Sequence, residues 1–336
     1  MKIKDYFTPK SFVYSGKHQD VKTVIRHFYY NEKEIIESDQ FEIKKGFKSY
    51  IQVIGLSNIK KIEEIKSIIN IDSILLEDIF NVSQREKIEV REDYLFSVLH
   101  GLVKKEENIH PVYMSVLCKE DVLVSFHETE PWFLDATIDT LYKYQDLRER
   151  STDFLYHHIM DLMTDHHMAV FEDLNHRLFD FEEITLDQKI LPQEDFYQAR
   201  KLFIQLKTNI FDLLEDLERI IKTKHPFIKP EHTEYYGDLI DHLKRIDRQV
   251  NLARENLRNL VDVNINNQSN RMNQIMTTLT LFSAIFIPLS FLTGFFGMNF
   301  IYFEILEYRY AITIFTLICL LVIILMIVFF KKKKWL

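Results

Sequence analysis

Glycine is scarce in this 336-residue chain: there are 7, beside 7 prolines and 2 cysteines. So few glycines provide no Gly-rich loop to cradle phosphate and no nucleophile elbow, which argues against nucleotide-binding folds. Nor do a nucleophile, a base and oxyanion donors gather in any recognisable motif, so the chain does not read as an enzyme. The two cysteines, Cys118 in a strand-like stretch and Cys319 in an apolar run, supply no disulfide framework and suit a reducing compartment. The opening MKIKDYFTPKSFVYSG lacks an apolar core followed by a small-residue cleavage site, so no signal peptide is read. The bulk of the protein is therefore expected on the cytoplasmic side. The longest absence is of charge: no charged residue stands between Arg271 and Glu304.

Elsewhere charge is plentiful and unbalanced, with 42 Lys and Arg against 50 Asp and Glu, a formal net charge of -8. Four positives stand together at Lys331 to Lys334, which leaves the remainder more acidic still. Such a body attracts cations and repels nucleic acid and anionic lipid. No nucleic-acid partner is expected.

Strand and helix signals alternate over residues 1–130. KSYIQVIGL, KIEVREDYLFSVLHGL, VYMSVL and DVLVSF are rich in β-branched and aromatic residues, and residues 57–69 and 72–80 read as helices between them. This predicts an α/β domain with a mixed sheet. Residues 131–235 read as helical. From Asp153 to Ile184, Leu155, Ile159, Leu162, Val170, Leu174 and Leu178 repeat at helical spacing, opposite an acidic, His-rich face. A second helix from about Glu194 to Lys222 ends at His225-Pro226 and Lys229-Pro230, so the pair predicts an antiparallel hairpin.

Residues 236–274 then carry a heptad seam of Tyr236, Leu239, Leu243, Ile246, Val250, Ala253, Leu257 and Leu260, which asks for partner helices. Neither glycine nor proline interrupts the chain from Asp238 until Pro288. A single helix from Gly237 to Phe296 would be about 90 Å long at 1.5 Å per residue, the length of a stalk that continues into a membrane.

Residues 275–296 and 311–330 are each long and apolar enough to cross a bilayer, which takes about 20 residues. The alternative, two helices of a globular core, sits poorly with segments apolar on every side. The lysine-rich tail at 331–336 orients both termini to the cytoplasm and the 297–310 loop outside, with Trp335 as an interfacial anchor. This is a multi-pass protein of the plasma membrane by expectation, with the lipid bilayer as a partner. The second span is Ile/Leu/Val-rich, as a lipid-facing helix should be. The first carries Thr277, Thr278, Thr280, Ser283, Ser290 and Thr293, with Asn273 at its inner mouth. Hydroxyls in hydrocarbon often bond their own backbone carbonyls. Because this row extends the heptad seam, a pore lining is the expectation. Two spans cannot enclose a pore, so several copies must assemble around a rotation axis.

The first span ends in Phe296-Gly297-Met298-Asn299-Phe300. A Gly-Met-Asn triplet between two C-terminal spans, after a long soluble region, resembles the signature of the CorA family of magnesium transporters. LEDIFNVSQREKIEVREDYLFSVL (76–99), FIPLSFLTGFFGMNF (286–300) and the closing KKKKWL carry the resemblance over nearly the full length. It implies an α+β membrane protein: a funnel-shaped homopentamer with an α/β cytoplasmic domain, a long stalk and pore helix, and two membrane helices. The implied activity is Mg2+ influx, with Co2+ or other divalent cations as further cargo.

The family pattern also implies site residues. Gly297 would let the chain turn sharply at the pore mouth, Met298 would pack to hold that turn, and a ring of Asn299 amide oxygens would accept hydrogen bonds from hydrated Mg2+, which sheds water reluctantly. Asn273 would form a polar ring, and Met276 and Leu279 a hydrophobic constriction able to gate by dewetting. Ser290 stands where the family commonly has Thr, and Ile287 where it has Met. Asp78 and Asp262 match the pair that binds regulatory Mg2+ between neighbouring subunits, and Glu77, Asp161 and Asp238 resemble a second cytoplasmic metal site. The outer loop departs from the family, with Phe303-Glu304-Ile305-Leu306 in place of Met-Pro-Glu-Leu. His157, His158, His166 and His167 read as a hydrated helix face, although with Asp161 and Asp165 they keep open a zinc- or cobalt-transporting relative. From another class, a membrane-anchored sensor or scaffold would explain the acidic body and the heptads, but neither the hydroxyls nor the triplet.

Overall fold

The structure is a computed structural model, which describes residues 12–38, 42–298, 309–333 and 335. The chain forms two compact units: Met1–Phe181 with Pro192–Arg258, and Glu182–Leu191 with Asn259–Leu336.

The first unit is built on a seven-stranded sheet. Its strands are β1 (Val24–Tyr30), β2 (Ile35–Ser38), β3 (Lys48–Ile54), β4 (Lys87–Val90), β5 (Leu95–Lys105), β6 (Asn108–Cys118) and β7 (Val122–His127). The order is β2-β1-β3-β7-β6-β5-β4. Only β3 and β7 run parallel; every other neighbouring pair is antiparallel. This is the mixed sheet expected from the sequence. KIEVREDYLFSVLHGL proves to be two strands, β4 and β5, joined by a turn in which the Arg91 N–H bonds Tyr94 O at 2.8 Å. The β1–β2 hairpin is absent from the sequence reading, because Arg26 and His27 interrupt its apolar run; His27 is nonetheless 1% exposed.

Alternation along the strands gives each face a layer. Ile51, Val53, Phe96, Val98, Val124 and Phe126 pack with Ile62, Ile65 and Ile69 of α1 (Ile59–Ile69) and Leu75, Leu76, Ile79 and Phe80 of α2 (Ser73–Phe80). Asp72 caps α2 by accepting from the Ile74 N–H at 3.1 Å. Tyr113 of β6 donates to Ile79 O near the far end of α2 at 2.9 Å. After short helices α3 (Asp135–Lys143) and α4 (Gln145–Glu149), the chain enters α5 (Thr152–Leu186) and α6 (Gln193–Thr223). α5 passes so close to β5 that a Cβ on Gly101 would stand 2.5 Å from the Met163 sulfur.

The long helix α7 runs from Thr233 to Phe296 without a break, through Pro288. All eight seam residues, Tyr236 through Leu260, are buried in the single chain. The partners that the heptads ask for are therefore supplied within the chain itself. Across the α6–α7 contact Lys244 pairs with Glu218 at 2.7 Å, and Lys207 pairs with Asp247. At the start of α7 a buried carboxylate does the fastening. Asp153 accepts from His232 Nδ1 at 2.9 Å and from the Lys229 N–H at 3.1 Å, and its own carbonyl accepts from Tyr236 OH at 2.7 Å.

In the second unit, Asn264 is 4% exposed and meets the backbone of Leu191 twice. Its Oδ1 accepts the Leu191 N–H at 2.9 Å, and its Nδ2 donates to Leu191 O at 3.2 Å. Asn267 adds a bond to Thr185 O at 2.8 Å. These asparagines fasten the turn between α5 and α6 to α7. The apolar end of α7 and the whole of α8 (Ala311–Lys332) follow, with Phe296 and Phe315 rings 5.2 Å apart. Replacing Asn264 by Leu would leave both Leu191 groups unpaired, at about 1–3 kcal/mol each. Hydrogen exchange at the Leu191 amide should then quicken at least about tenfold; an unchanged rate would show that the asparagine does not hold the turn.

Candidate pore and cation sites

The apolar end of α7 has a mean hydropathy of 2.0 in its most apolar window and α8 of 3.3, and in neither window is any residue buried. A globular-core helix of this composition would be covered by its own chain. These two are not, so what covers them is lipid or another copy. Both are candidate membrane spans.

Helical geometry sorts the polar residues of the first span. At 100° per residue, positions 273, 276, 279, 280, 283, 287, 290 and 294 share an arc about 120° wide. Asn273, Thr280, Ser283 and Ser290 lie on it with Met276, Leu279, Ile287 and Gly294, and Thr277 borders it. Thr293 borders it on the other edge, and Thr278 falls on the opposite side, which corrects the expectation of a single hydroxyl row. Their hydroxyls bond their own helix, Thr278 to Gln274 O at 2.9 Å and Thr293 to Ser290 O at 3.1 Å. Thr280, on the arc, also donates backward, to Met276 O at 2.7 Å. With its proton engaged there, its outward lone pair is an acceptor. Met276 is 57% exposed and Leu279 66%, so neither is committed to a contact within the chain.

At the end of α7 the Gly297 N–H still bonds Thr293 O at 2.9 Å, and the Met298 N–H bonds Phe295 O at 3.3 Å. Gly297 stands in a turn just past the end of α7, and the residues from Asn299 that would complete the expected turn lie outside the described residues. A Cβ on Gly297 would come within 3.0 Å of Thr293 O. Met298 is 57% exposed. Asn299, Glu304 and Glu307 lie outside the described residues, as does the rest of the divergent outer loop.

Asp78 lies near the end of α2 and is mostly buried. Its Oδ2 is held by Lys87 Nζ at 2.7 Å, and the same ammonium bonds Glu89 Oε1 at 2.7 Å. Burial alone would lower the Lys87 pKa, but the bonds to Asp78 and Glu89 outweigh it and raise the pKa. Asp262 is exposed on α7, two positions before the buried Asn264. A carboxylate suits Mg2+, which favours hard oxygen donors and keeps most of its water. Among the described residues, no three His, Cys, Asp or Glu side chains converge closely enough to hold a metal ion. A cation on either aspartate therefore needs donors from water or from a second copy.

Asp161 on α5 and Asp238 on α7 belong to one electrostatic neighbourhood. Partial burial and the Asp161 charge raise the Asp165 carboxyl, while His242, which is 3.7 Å from Asp238, lowers it. Glu77 is exposed on α2. The histidines correct the sequence reading. His157 is 8% exposed and His167 1%, so these two belong to the core rather than to a hydrated face, while Asp165 stays exposed. Burial lowers His157, which also meets Tyr235 O at 3.1 Å, and pushes His167 down to about 4. His166 and His158 are half-buried. The sequence reading missed Lys87 and Asn264, both visible only through their partners.

Comparison with known proteins bears on the whole arrangement. The family profile described as CorA-like Mg2+ transporter protein matches residues 53–332. The cobalt/magnesium transport protein CorA of Thermotoga maritima is 26% identical over 350 residues, covering 100% of this chain and 99% of that one. A zinc transport protein, ZntB of Pectobacterium carotovorum, is 29% identical over 143 residues, or 42% of this chain and 43% of its own. In fold, the chain is similar to the complete CorA magnesium transporter from Methanocaldococcus jannaschii, with a TM-score of 0.77 at 18% identity. That likeness covers 94% of this chain and 100% of the solved one. A mixed-sheet soluble region, one helix of 64 residues and two uncovered apolar segments thus accompany a match across most of the sequence: the chain belongs to the family of CorA-like magnesium transporters.

Proposed function

We propose that this divalent-metal transporter conducts Mg2+ into the cell, down its electrochemical gradient, through a pore lined by the α7 spans of several copies. The observation that carries this reading is the uncovered first span, whose polar arc leads toward Gly297-Met298-Asn299. A hydrated Mg2+ presents outward-pointing water hydrogens, so its path needs acceptors that do not strip its shell. Asn299 amide oxygens meet that need at the outer mouth, and Asn273 at the inner one. Along the arc, Thr280 offers its lone pair because its own proton is engaged. Met276 and Leu279 form the gate, a constriction that dewets when closed. No ATP is consumed; an inside-negative potential contributes about 2.3 kcal/mol per charge per 100 mV.

Self-assembly is part of the same reading, with five copies implied by the family. Besides the bare spans, Tyr197, Ile204 and Phe211 of α6 are exposed at seven-residue intervals, an apolar stripe suited to a neighbouring copy. Asp78 of one copy and Asp262 of the next share a regulatory Mg2+ that offsets carboxylate repulsion and keeps the pore shut when internal Mg2+ is high. Both termini lie in the cytoplasm. The Asp161–Asp238 neighbourhood is the better-supported part of a second internal site, and Glu77 the weaker. Similarity to a zinc transport protein favours one alternative, that the cargo is Zn2+ or Co2+.

Two experiments test these assignments. In proteoliposomes carrying a Mg2+-sensitive dye, the intact protein should give uptake and Asn299→Ala should abolish it. Influx of Zn2+ or Co2+ without Mg2+ would keep the channel and overturn the cargo, whereas full uptake by the variant would remove Asn299 from the pore. Internal Mg2+ loaded beforehand should blunt uptake by the intact protein but not by Asp78→Asn or Asp262→Asn. Equal inhibition of all three would sink the feedback site.

A further inference from the structure

We infer that Lys87 is a tethered competitor for the Asp78 cation site, and that Glu89 is where its ammonium is handed when a divalent ion arrives. The inference rests on the reading of Asp78 as a regulatory cation ligand. Its own ground is the three-centre geometry. Lys87 and Glu89 are two apart on edge strand β4, so their side chains leave the same face. Asp78 reaches them from α2, and one ammonium bonds Asp78 Oδ2 and Glu89 Oε1 at 2.7 Å each. The ammonium also lies 6.0 Å from the Phe96 ring centroid. Side-chain exposures of 14% for Asp78, 26% for Lys87 and 35% for Glu89 put the carboxylate to be freed at the inner end and the receiving one nearer water.

Lysine suits this role because its compact charge sits on a flexible stem. A divalent ion approaching Asp78 meets a carboxylate already neutralised, which weakens binding. As the ion takes the Oδ2 lone pair, the ammonium needs only to relax onto Glu89, to which it is already bonded. No covalent bond changes and no proton moves. The consequence is a threshold: the Asp78 site fills at a higher Mg2+ concentration than a bare carboxylate would require.

The test reads Mg2+-dependent thermal stabilisation of the full-length detergent-solubilised protein, since a ligand that binds the folded form raises its melting temperature. Asp78→Asn should raise the Mg2+ midpoint. Lys87→Gln should lower it by about threefold or more, and Glu89→Gln should raise it. In the Lys87→Gln background, Glu89→Gln should have no further effect, because Glu89 reaches Asp78 through the lysine, and its other oxygen, 3.9 Å from Arg91, does not touch Asp78. A shift for Asp78→Asn with none for Lys87→Gln would leave the site standing and overturn the competition. Equal Glu89→Gln shifts in both backgrounds would overturn the handover, making Glu89 a plain background charge. No shift for Asp78→Asn would overturn the site itself and the inference with it.

Discussion

Everything about this molecule follows from one helix that must satisfy two solvents. Over its first half α7 presents a heptad seam, from Tyr236 to Leu260, that is buried by its own chain. Over its last third the same helix has no buried residue in its most apolar window. A backbone in hydrocarbon must bond itself, which demands continuity of the helix. The sequence meets that demand by excluding glycine and proline from Asp238 to Pro288. The buried Asp153–His232 pair holds one end of the seam and the Asn264 clamp lies just past the other.

The proposed pore asks for assembly, because two spans of one chain cannot enclose it. The protomer uses its heptads internally, so they leave no coiled-coil seam for a neighbour. Among the apolar surfaces left uncovered are the pair of spans and the α6 stripe of Tyr197, Ile204 and Phe211. A polar arc facing lipid would be costly, whereas the same arc facing copies of itself can hold water. In the soluble unit, Asp78 already has a cation of its own in Lys87. The proposed regulatory ion must therefore bring enough charge and enough ligands from a second copy to displace it, which ties ion sensing to the assembled state.

Much of this was legible because period and hydropathy are properties of sequence. The two spans, the seam and the mixed sheet all announce themselves as runs or repeats, and the Gly-Met-Asn triplet marks the family. What escaped notice depends on pairing. His157 and His167 look hydrated beside acidic neighbours, yet they are core, because α5 is packed on more of its circumference than its leucines suggest. Lys87 reads as one charge in a charged strand until Asp78 is seen 2.7 Å away. The Thr and Ser residues of the first span read as a row, and the helical arc divides them.

That division gives the most direct measurement of the central claim, that the polar arc of α7 faces water in the assembled protein. Single cysteines at Ser283 and Ser290, on the arc, and at Thr278 and Phe282, off it, would be placed in protein with Cys118 and Cys319 both replaced by Ser and reconstituted in bilayers. A charged, membrane-impermeant thiol reagent should modify the arc positions and spare the others. Equal labelling of both sets, or labelling confined to Thr278 and Phe282, would contradict the account.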